Sequence, residues 1–169
     1  MNPSTKADQR DKIDVFLERL EGIPGLDYEV EGIVDRINSL QRRFRQAHEE
    51  TLRGWNLSWG EWKVLGSLRL GEANSPGELC DALELSSGAM TNRIDRLEQA
   101  GLVRRVPDPN DRRGVKIELT EAGERVWTES TSAQAQKEIL VASTLTTREQ
   151  QQLNTLLRKL MLAFEQNRD

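Results

Sequence analysis

The sequence predicts a mainly α-helical protein with one short β-hairpin, and three observations lead to this prediction. Apolar residues recur at three- and four-residue spacing along most of the 169-residue chain, as in helices with one buried face. Capping signals of the form Ser-x-x-Glu or Thr-x-x-Glu precede several of these segments. A single pair of short alternating segments, separated by a loop containing Pro107, Pro109 and Gly114, interrupts the helical pattern and predicts two antiparallel strands.

Composition and charge exclude several classes of protein. The chain carries 24 Lys and Arg against 28 Asp and Glu, which gives a net charge of -4. The single cysteine, Cys80, excludes an intrachain disulfide and favours a reducing compartment, so we expect a cytoplasmic protein. No apolar stretch approaches the roughly 18 residues of a membrane span, and the polar N-terminus lacks the apolar segment of a signal peptide. We therefore expect no membrane partner.

The sequence lacks the patterns of catalytic and metal sites. It contains one histidine, His48, and one cysteine, and it has neither a glycine-rich phosphate loop nor a serine-elbow motif. The ligand spacings of zinc sites are also missing. We therefore expect a protein that is not an enzyme and that needs no cofactor.

The N-terminal part of the sequence predicts a disordered start and two helices. Residues 1–10 are polar, and helical spacing over 11–21 predicts a short helix that ends at Gly22. A long helix is predicted over about 27–53. Its apolar residues alternate steps of three and four in a heptad-like seam of Leu26, Val30, Ile33, Ile37, Leu40, Phe44, Ala47 and Thr51. Such a seam packs either on the chain itself or on a second copy, and periodicity alone leaves both open.

Two further helices begin at recognisable capping boxes. The tetrapeptides SWGE at 58–61 and SPGE at 75–78 each place a serine and a glutamate where their side chains accept from free backbone N–H groups. The first begins a helix that extends through Leu68. The second begins a short helix that ends near Leu83, with proline at the first helical position.

The next segments predict a helix, a hairpin and two closing helices. After a tight turn at Leu85, a serine caps a helix that stops at Gly101. The β-branched, alternating segments 102–106 and 115–119 then predict the hairpin. Two threonine-capped helices follow, from Thr120 to about 143 and from 146 to the C-terminal region.

This order of elements indicates a helix-turn-helix followed by a wing. In that arrangement the second helix can enter the major groove of double-stranded DNA. Met90, Ile94 and Leu97 form the inward apolar face of this helix. Its other face carries groups suited to phosphates and base edges, namely Ser86, Ser87, Gly88, Thr91, Asn92 and Arg93.

The local charge supports a DNA contact in an acidic protein. Residues 86–120 contain seven basic and five acidic side chains, a local net charge of +2 in a chain of net charge -4. A solvated charged face is the simpler explanation for such a cluster. The coincidence of the positive segment with the helix-turn-helix and hairpin favours nucleic acid as the partner.

The stretch LELSSGAMTNRIDRLEQAGLVRRVPDPNDRRGVKIELTEAG resembles the winged helix of the MarR (multiple antibiotic resistance regulator) family of transcription regulators. The resemblance rests on RIDRLEQAGLVRR, on the DRR of the hairpin tip and on the following LTEAG. It implies a homodimer that binds a pseudo-palindromic operator. Residues 58–120 would form the winged helix-turn-helix, and residues 11–57 and 121–169 would form the dimerisation helices.

The resemblance also implies roles for the wing residues. Arg113 takes the position of the wing-tip arginine that enters the minor groove, where negative potential attracts it. Asp111 would hold the tip by pairing with Arg112 or Arg113, or else serve only as a turn residue. Arg112 and Lys116 would contact phosphates.

The roles of three further arginines stay open. Arg93 either contacts DNA or pairs with an acidic neighbour on its own helix surface. Arg104 and Arg105 alternate across the strand, so they cannot both face the DNA, and we expect one of them to pack near the recognition helix.

Members of the family commonly release DNA when a small aromatic or anionic molecule binds. Three of the four tryptophans lie within eight residues of one another, and the candidate ligand-binding residues are His48, Trp55, Trp59, Trp62 and Lys63. The tryptophans serve equally well as core residues at a helix junction. A surface position for His48 is also open.

The extra N-terminal helix is similar to that of the urate-responsive subgroup, with two departures. No tryptophan precedes Trp55, and Lys63 follows Trp62 where that subgroup has an aspartate. Lys63 would favour a carboxylate or phosphate-bearing ligand. The alternative functions are redox regulation through Cys80, which is more typical of a small core residue, and a winged helix that contacts protein.

Overall fold

The computed structural model describes residues 10–109, 111 and 114–166, and the predicted disorder of residues 1–10 falls almost wholly outside this range. Within these residues, seven α-helices and one hairpin follow one another in the predicted order. The elements are α1 (Lys12–Glu18), α2 (Tyr28–Leu52), α3 (Trp59–Leu70), α4 (Pro76–Leu83), α5 (Ser87–Gln99), β1 (Val103–Pro107), β2 (Val115–Leu119), α6 (Glu121–Ala142) and α7 (Thr147–Gln166). None of the described helices has the length and apolar character needed to span a membrane.

Side-chain caps fix the beginnings of the helices. Both predicted capping boxes are present, because Ser58 and Glu61 at α3, and Ser75 and Glu78 at α4, accept each other's backbone N–H groups. The backbone N–H groups of Asn74 and Ser75 both donate to Glu78 at 3.0 Å, and they hold the pKa of its carboxyl below the usual range. These caps satisfy N–H groups that the helix itself cannot.

The turn between α4 and α5 differs from the sequence prediction by one residue. Glu84, rather than Leu85, adopts the left-handed conformation, with φ of 52°. The N–H of Leu85 then donates to the carbonyl of Cys80 at 2.9 Å and closes the end of α4. The predicted stop at Gly101 is confirmed, since its φ is 69° and the N–H of Leu102 reaches back to the carbonyl of Leu97.

The hairpin is attached to the helices by its second strand. β1 and β2 pair in antiparallel register, with Val103 opposite Leu119 and Pro107 opposite Val115. The N–H of Ile117 also donates to the carbonyl of Asn74 at 2.7 Å, in the loop before α4. Ile117 is 1% exposed, so β2 both extends the core and anchors the wing.

The chain divides after Glu50 into two compact units. In the first unit, Arg36 of α2 forms ion pairs with Asp11 and Asp14 at the beginning of α1. The second unit, which begins at Thr51, contains one cluster of buried apolar side chains. Its members are Leu52, Leu57, Val64, Leu65, Ala73, Leu79, Met90, Ile94, Leu97, Leu102, Val103 and Ile117.

Two helices carry apolar side chains that the single chain leaves exposed. In α2 of the first unit, the seam residues Val30, Ile33, Ile37 and Leu40 are 40–51% exposed. In α7 of the second unit, the exposed apolar residues are Leu153, Leu156, Leu157, Leu160, Met161, Leu162 and Phe164. Apolar area on this scale is typical of surfaces that are covered by a partner.

The close approach of α6 to Leu102, the residue before β1, depends on Gly123 and leads to a stability prediction. A Cβ at Gly123 would lie 2.0 Å from the carbonyl oxygen of Leu102, which is backbone and cannot turn aside. We expect Gly123→Ala to lower the free energy of unfolding by about 1–3 kcal/mol. Gly77→Ala in α4 is the matched control, because nothing lies within 4 Å of its Cβ position. The control should be neutral or stabilising, and equal effects in urea unfolding would contradict the packing.

Candidate nucleic-acid interface

The core fixes which face of α5 points outward. Met90, Ile94 and Leu97 are at most 1% exposed and lie in the apolar cluster of the second unit, as predicted. The opposite face near the N-terminus is exposed and consists of Ser87, Gly88, Thr91 and Asn92. Burial of one stripe therefore leaves hydroxyl and amide groups on the face that is open to a ligand.

The first turn of α5 combines a capped N-terminus with open space. The hydroxyl of Ser86 accepts from the N–H of Ala89 at 3.4 Å and begins the helix. Nothing lies within 4 Å of the Cβ position of Gly88. The free N–H groups and the positive end of the helix dipole can therefore come close to an anion such as phosphate.

Arg93 lies apart from this open face. Its guanidinium packs over Gly60 of α3, where a Cβ would be only 2.4 Å from Nε. Its Nη1 is buried and has no hydrogen-bond partner among the described residues. A DNA contact by Arg93 therefore requires its side chain to move away from α3.

Arg105 joins the wing to α5. Its guanidinium pairs with Asp95 at 2.5 Å and with Glu98, both on α5, and its backbone N–H donates to Glu98 Oε1 at 3.1 Å. The hydrogen bond to Asp95 is the strongest influence that raises the pKa of the guanidinium above its usual value. We expected one of the two strand arginines to pack near α5, and Arg105 does so.

The neighbouring arginine has a different partner. Arg104 donates twice to Glu118 Oε2, at 2.9 and 2.7 Å, and Glu118 lies directly opposite it in β2. This pair stays within the hairpin and makes no link to α5. Lys116 of β2 lies 4.0 Å from Asp108, so the two side chains form only a long ion pair.

The described part of the wing tip is held by backbone hydrogen bonds. The N–H of Gly114 donates to the carbonyl of Asp111, and the N–H of Asp108 donates to the carbonyl of Gly114, each at 2.9 Å. A Cβ at Gly114 would lie 3.0–3.1 Å from the side chains of both aspartates, so the turn is tight. Arg112 and Arg113, and with them the predicted pairing of Asp111, lie outside the described residues.

The tryptophans form a stacked group in the second unit. The rings of Trp59 and Trp62 lie 4.9 Å apart, and Trp127 of α6 stacks at 6.5 Å from Trp62. Trp127 was missed from the sequence, because no local pattern reveals a contact between residues so far apart along the chain. The Nε1 atoms of Trp62 and Trp127 are buried without a hydrogen-bond partner among the described residues.

The remaining predicted ligand residues are divided between the two units. Trp55 belongs to the second unit and donates from Nε1 to Glu129 at 3.4 Å. Lys63 is half-buried in the same unit. His48 belongs to the first unit, where its ring lies 6.4 Å from that of Phe44. All three predicted tryptophans pack against the apolar cluster, which favours their structural role.

Cysteine and metal chemistry find little support in the described residues. Cys80 is half-buried in α4 and packs against the apolar cluster. In the part of the chain that the structure describes, no group of three or more His, Cys, Asp or Glu side chains is arranged to hold a metal ion.

A short helix, a tight turn and a second helix with one buried face follow one another, and a hairpin is anchored beside the second helix. This arrangement defines a winged helix-turn-helix DNA-binding protein. Residues 57–115 match the model of the MarR family. The transcriptional regulator PecS of Dickeya dadantii is 35% identical over 103 residues, which cover 59% of this chain and 62% of PecS. The multiple antibiotic resistance protein MarR of Escherichia coli is 40% identical over 74 residues, 44% of this chain and 51% of MarR.

The solved structures extend this similarity to most of the fold. A crystal structure of a MarR mutant from E. coli covers 75% of this chain and 94% of that chain, with 30% identity and a TM-score of 0.69. The structure of an E. coli MarR mutant complexed with operator DNA matches 78% of this chain and 95% of that chain, with 30% identity and a TM-score of 0.66. The chain belongs to the MarR family of transcription regulators and is not an enzyme.

The contacts of Arg105 generate a prediction about DNA binding. Arg105→Gln removes the ion pairs between wing and α5, and we expect it to weaken binding to a selected operator by up to about fivefold, because an exposed ion pair that holds the wing is worth at most about 1 kcal/mol. Arg104→Gln breaks only the pair within the hairpin and should change affinity much less. Fluorescence anisotropy at fixed salt measures both, and an equal loss for the two variants would contradict the role of the link.

Proposed function

We propose that the protein is a homodimeric, sequence-specific transcription repressor that acts in the cytoplasm and is released from its operator by a small aromatic or anionic molecule. The observation that carries the DNA-binding part is the arrangement of α5, whose apolar stripe is buried while Ser87, Gly88, Thr91 and Asn92 face outward. The wing attached to the same helix supplies basic residues beside that face.

In this proposal α5 lies in the major groove and the wing follows the backbone into the minor groove. Thr91 and Asn92 read base edges, and Ser86 and Ser87 contact phosphate at the helix N-terminus. Arg93 joins them after leaving α3. The wing contributes phosphate and minor-groove contacts through Arg112, Arg113 and Lys116, with Asp111 steadying the tip.

The dimer is proposed from the exposed apolar residues of α2 and α7. Four seam residues of α2 (Val30, Ile33, Ile37 and Leu40) and the leucines of α7 are 38–53% exposed in the single chain. Both helices lie outside the segment 58–120 that we assign to DNA. A second copy would cover these residues. Two copies of α5 would then read two half-sites about one helical turn apart on a pseudo-palindromic operator.

The effector is proposed from the tryptophan group and its neighbours. Trp62 has a buried Nε1 without an acceptor among the described residues, so an oxygen atom of a ligand can satisfy it. We assign Trp55, Trp59, Trp62, Lys63 and His48 to this response. Lys63 would favour an anionic molecule.

The wing-tip assignment predicts the effect of one substitution. Arg113→Ala should weaken operator binding by about 1–3 kcal/mol, because a groove contact is lost while the fold is untouched. Arg148→Ala, at the exposed first turn of α7, is the control and should bind as the unchanged protein does. A salt-controlled gel shift measures both, and unchanged affinity of Arg113→Ala would reject the assignment.

The dimer proposal predicts the mass in solution. The unchanged protein should have twice the mass of the chain in light scattering at micromolar concentration. Leu160→Glu places a charge on the exposed apolar side of α7 and should shift the protein toward monomer. Arg158→Glu changes an exposed polar position of the same helix and should leave the dimer intact. A monomeric unchanged protein would refute the architecture.

A further inference from the structure

One pair of facing residues in the hairpin carries links to both helices of the helix-turn-helix. Arg105 of β1 and Ile117 of β2 lie directly opposite each other, in a position where both backbone N–H groups point away from the partner strand. The N–H of Arg105 donates to Glu98 of α5 at 3.1 Å. The N–H of Ile117 donates to the carbonyl of Asn74, two residues before α4, at 2.7 Å. Each strand is therefore attached to a different helix.

The direction of the wing depends on these two links. In the described part of the chain, β1 and β2 form a sheet of only two strands. A hairpin of two strands has little stability of its own, so its attachments decide how it lies on the rest of the protein. The strands continue beyond Arg105 and Ile117 toward the tip. A change of angle at this pair would therefore move the whole tip.

The link to α4 passes through a single peptide group. The C=O of Asn74 and the N–H of Ser75 belong to one planar unit, and in a trans peptide they point in opposite directions. The C=O accepts from Ile117, whereas the N–H donates to Glu78 Oε2 at 3.0 Å. The same carboxylate oxygen accepts from the N–H of Asn74 at 3.0 Å. The Glu78 carboxylate thus fixes the orientation of the peptide group that receives the strand.

Electrostatics strengthens this connection. An N–H that donates to a carboxylate polarises its peptide group, which makes the C=O on the other side a better acceptor. The bond from Ile117, at 2.7 Å, is at the short end of the range for N–H donors. The N–H of Asn74 is the largest influence that lowers the pKa of Glu78, and the positive charge of Lys116 on β2 adds a smaller lowering. The carboxylate therefore also attracts the strand that it holds.

The two ends of the link are fixed by the core. Ala73, which precedes Asn74, is 4% exposed, and Leu79, which follows Glu78, is fully buried. At the other end, the side chain of Ile117 is 1% exposed. Only the Glu78 side chain and the peptide group that it holds lie at the surface. The orientation of this peptide group is therefore the adjustable part of the attachment.

A cap of the same kind, without a strand, is present at α7. Glu149 Oε2 accepts from the backbone N–H and the hydroxyl of Thr146, both at 2.7 Å. The C=O of the capped peptide group, which belongs to Leu145, accepts from the side chain of Gln150 in the same helix at 3.2 Å. Glu149 therefore stabilises only the beginning of its own helix, and it is the natural comparison for Glu78.

We propose that Glu78 is a positioning residue for DNA binding, which sets the direction of the wing through the peptide group between Asn74 and Ser75. Together with Arg105, it attaches the hairpin to both helices, so that the wing and α5 meet the duplex at a fixed angle. The consequence for DNA rests on the proposed contact of the wing with the minor groove, whereas the attachment of the strand does not.

Amide hydrogen exchange, followed by NMR, tests the attachment without DNA. The exchange rate of the Ile117 N–H should rise at least about tenfold in Glu78→Ala, which removes a hydrogen bond to a charged group. Glu78→Gln keeps one oxygen that can accept and should give an intermediate rate. Glu149→Ala, the control for loss of a cap, should leave the rate unchanged. The N–H of Ile94, in the core of α5, reports global unfolding and should change much less.

Operator binding and footprinting at fixed salt test the consequence for DNA. Both Glu78 variants remove the same charge, so their comparison isolates the hydrogen bonds. Glu78→Ala should bind a selected operator about fivefold more weakly than Glu78→Gln, which is the lower limit for loss of one groove contact. It should also lose minor-groove protection and keep protection of the major groove. Circular dichroism checks that the variants are folded.

Three results would overturn the proposal. The first is an unchanged exchange rate of Ile117 in Glu78→Ala. The second is an equal rise at Ile117 and Ile94, which would make Glu78 a cap that only stabilises the fold. The third is equal operator binding by the two Glu78 variants with minor-groove protection retained. Absence of minor-groove protection in the unchanged protein would instead contradict the proposed wing contact, and exchange at Ile117 would still decide whether Glu78 positions the strand.

Discussion

The burial of one stripe of α5 is the constraint on which the rest of the second unit depends. Met90, Ile94 and Leu97 enter the same apolar cluster as Leu65 of α3 and Leu79 of α4, and this fixes the rotation of α5 about its axis. A helix that is fixed on one side presents the same polar groups on the other in every molecule. The hydrogen bond between Ile117 and the loop before α4 places the hairpin against the same cluster. The orientation of the polar face of α5, with Ser87, Thr91 and Asn92, therefore follows from core packing.

Ion pairs compensate most of the positive charge in the two strands of the hairpin. Arg104 pairs with Glu118 of β2, and Arg105 pairs with Asp95 and Glu98 of α5. Lys116, which lies 4.0 Å from Asp108, is the other basic residue of the two strands. Exposed ion pairs of this kind contribute little to the free energy of unfolding. Here they hold the arginine side chains, and with Arg105 the wing, in one orientation.

Local signals in the sequence predicted the helices and their ends, because capping is decided within four residues. The capping boxes at Ser58 and Ser75 and the stop at Gly101 are examples. Contacts between residues that lie far apart in the sequence could not be predicted from such local signals. Neither the stacking of Trp127 on Trp62 nor the packing of Arg93 over Gly60 leaves a pattern in the sequence. Alternation showed that one strand arginine would turn toward α5, but only the three-dimensional register identified it as Arg105.

We infer that two copies of α5, with their wings, bind DNA through faces whose orientation the core fixes. Hydroxyl-radical and methylation footprinting on an operator selected from random duplex DNA tests this inference. We expect protection in two major-groove segments about one helical turn apart, flanked by minor-groove protection that disappears with Arg113→Ala. Protection of a single segment, or uniform protection that does not depend on sequence, would contradict it.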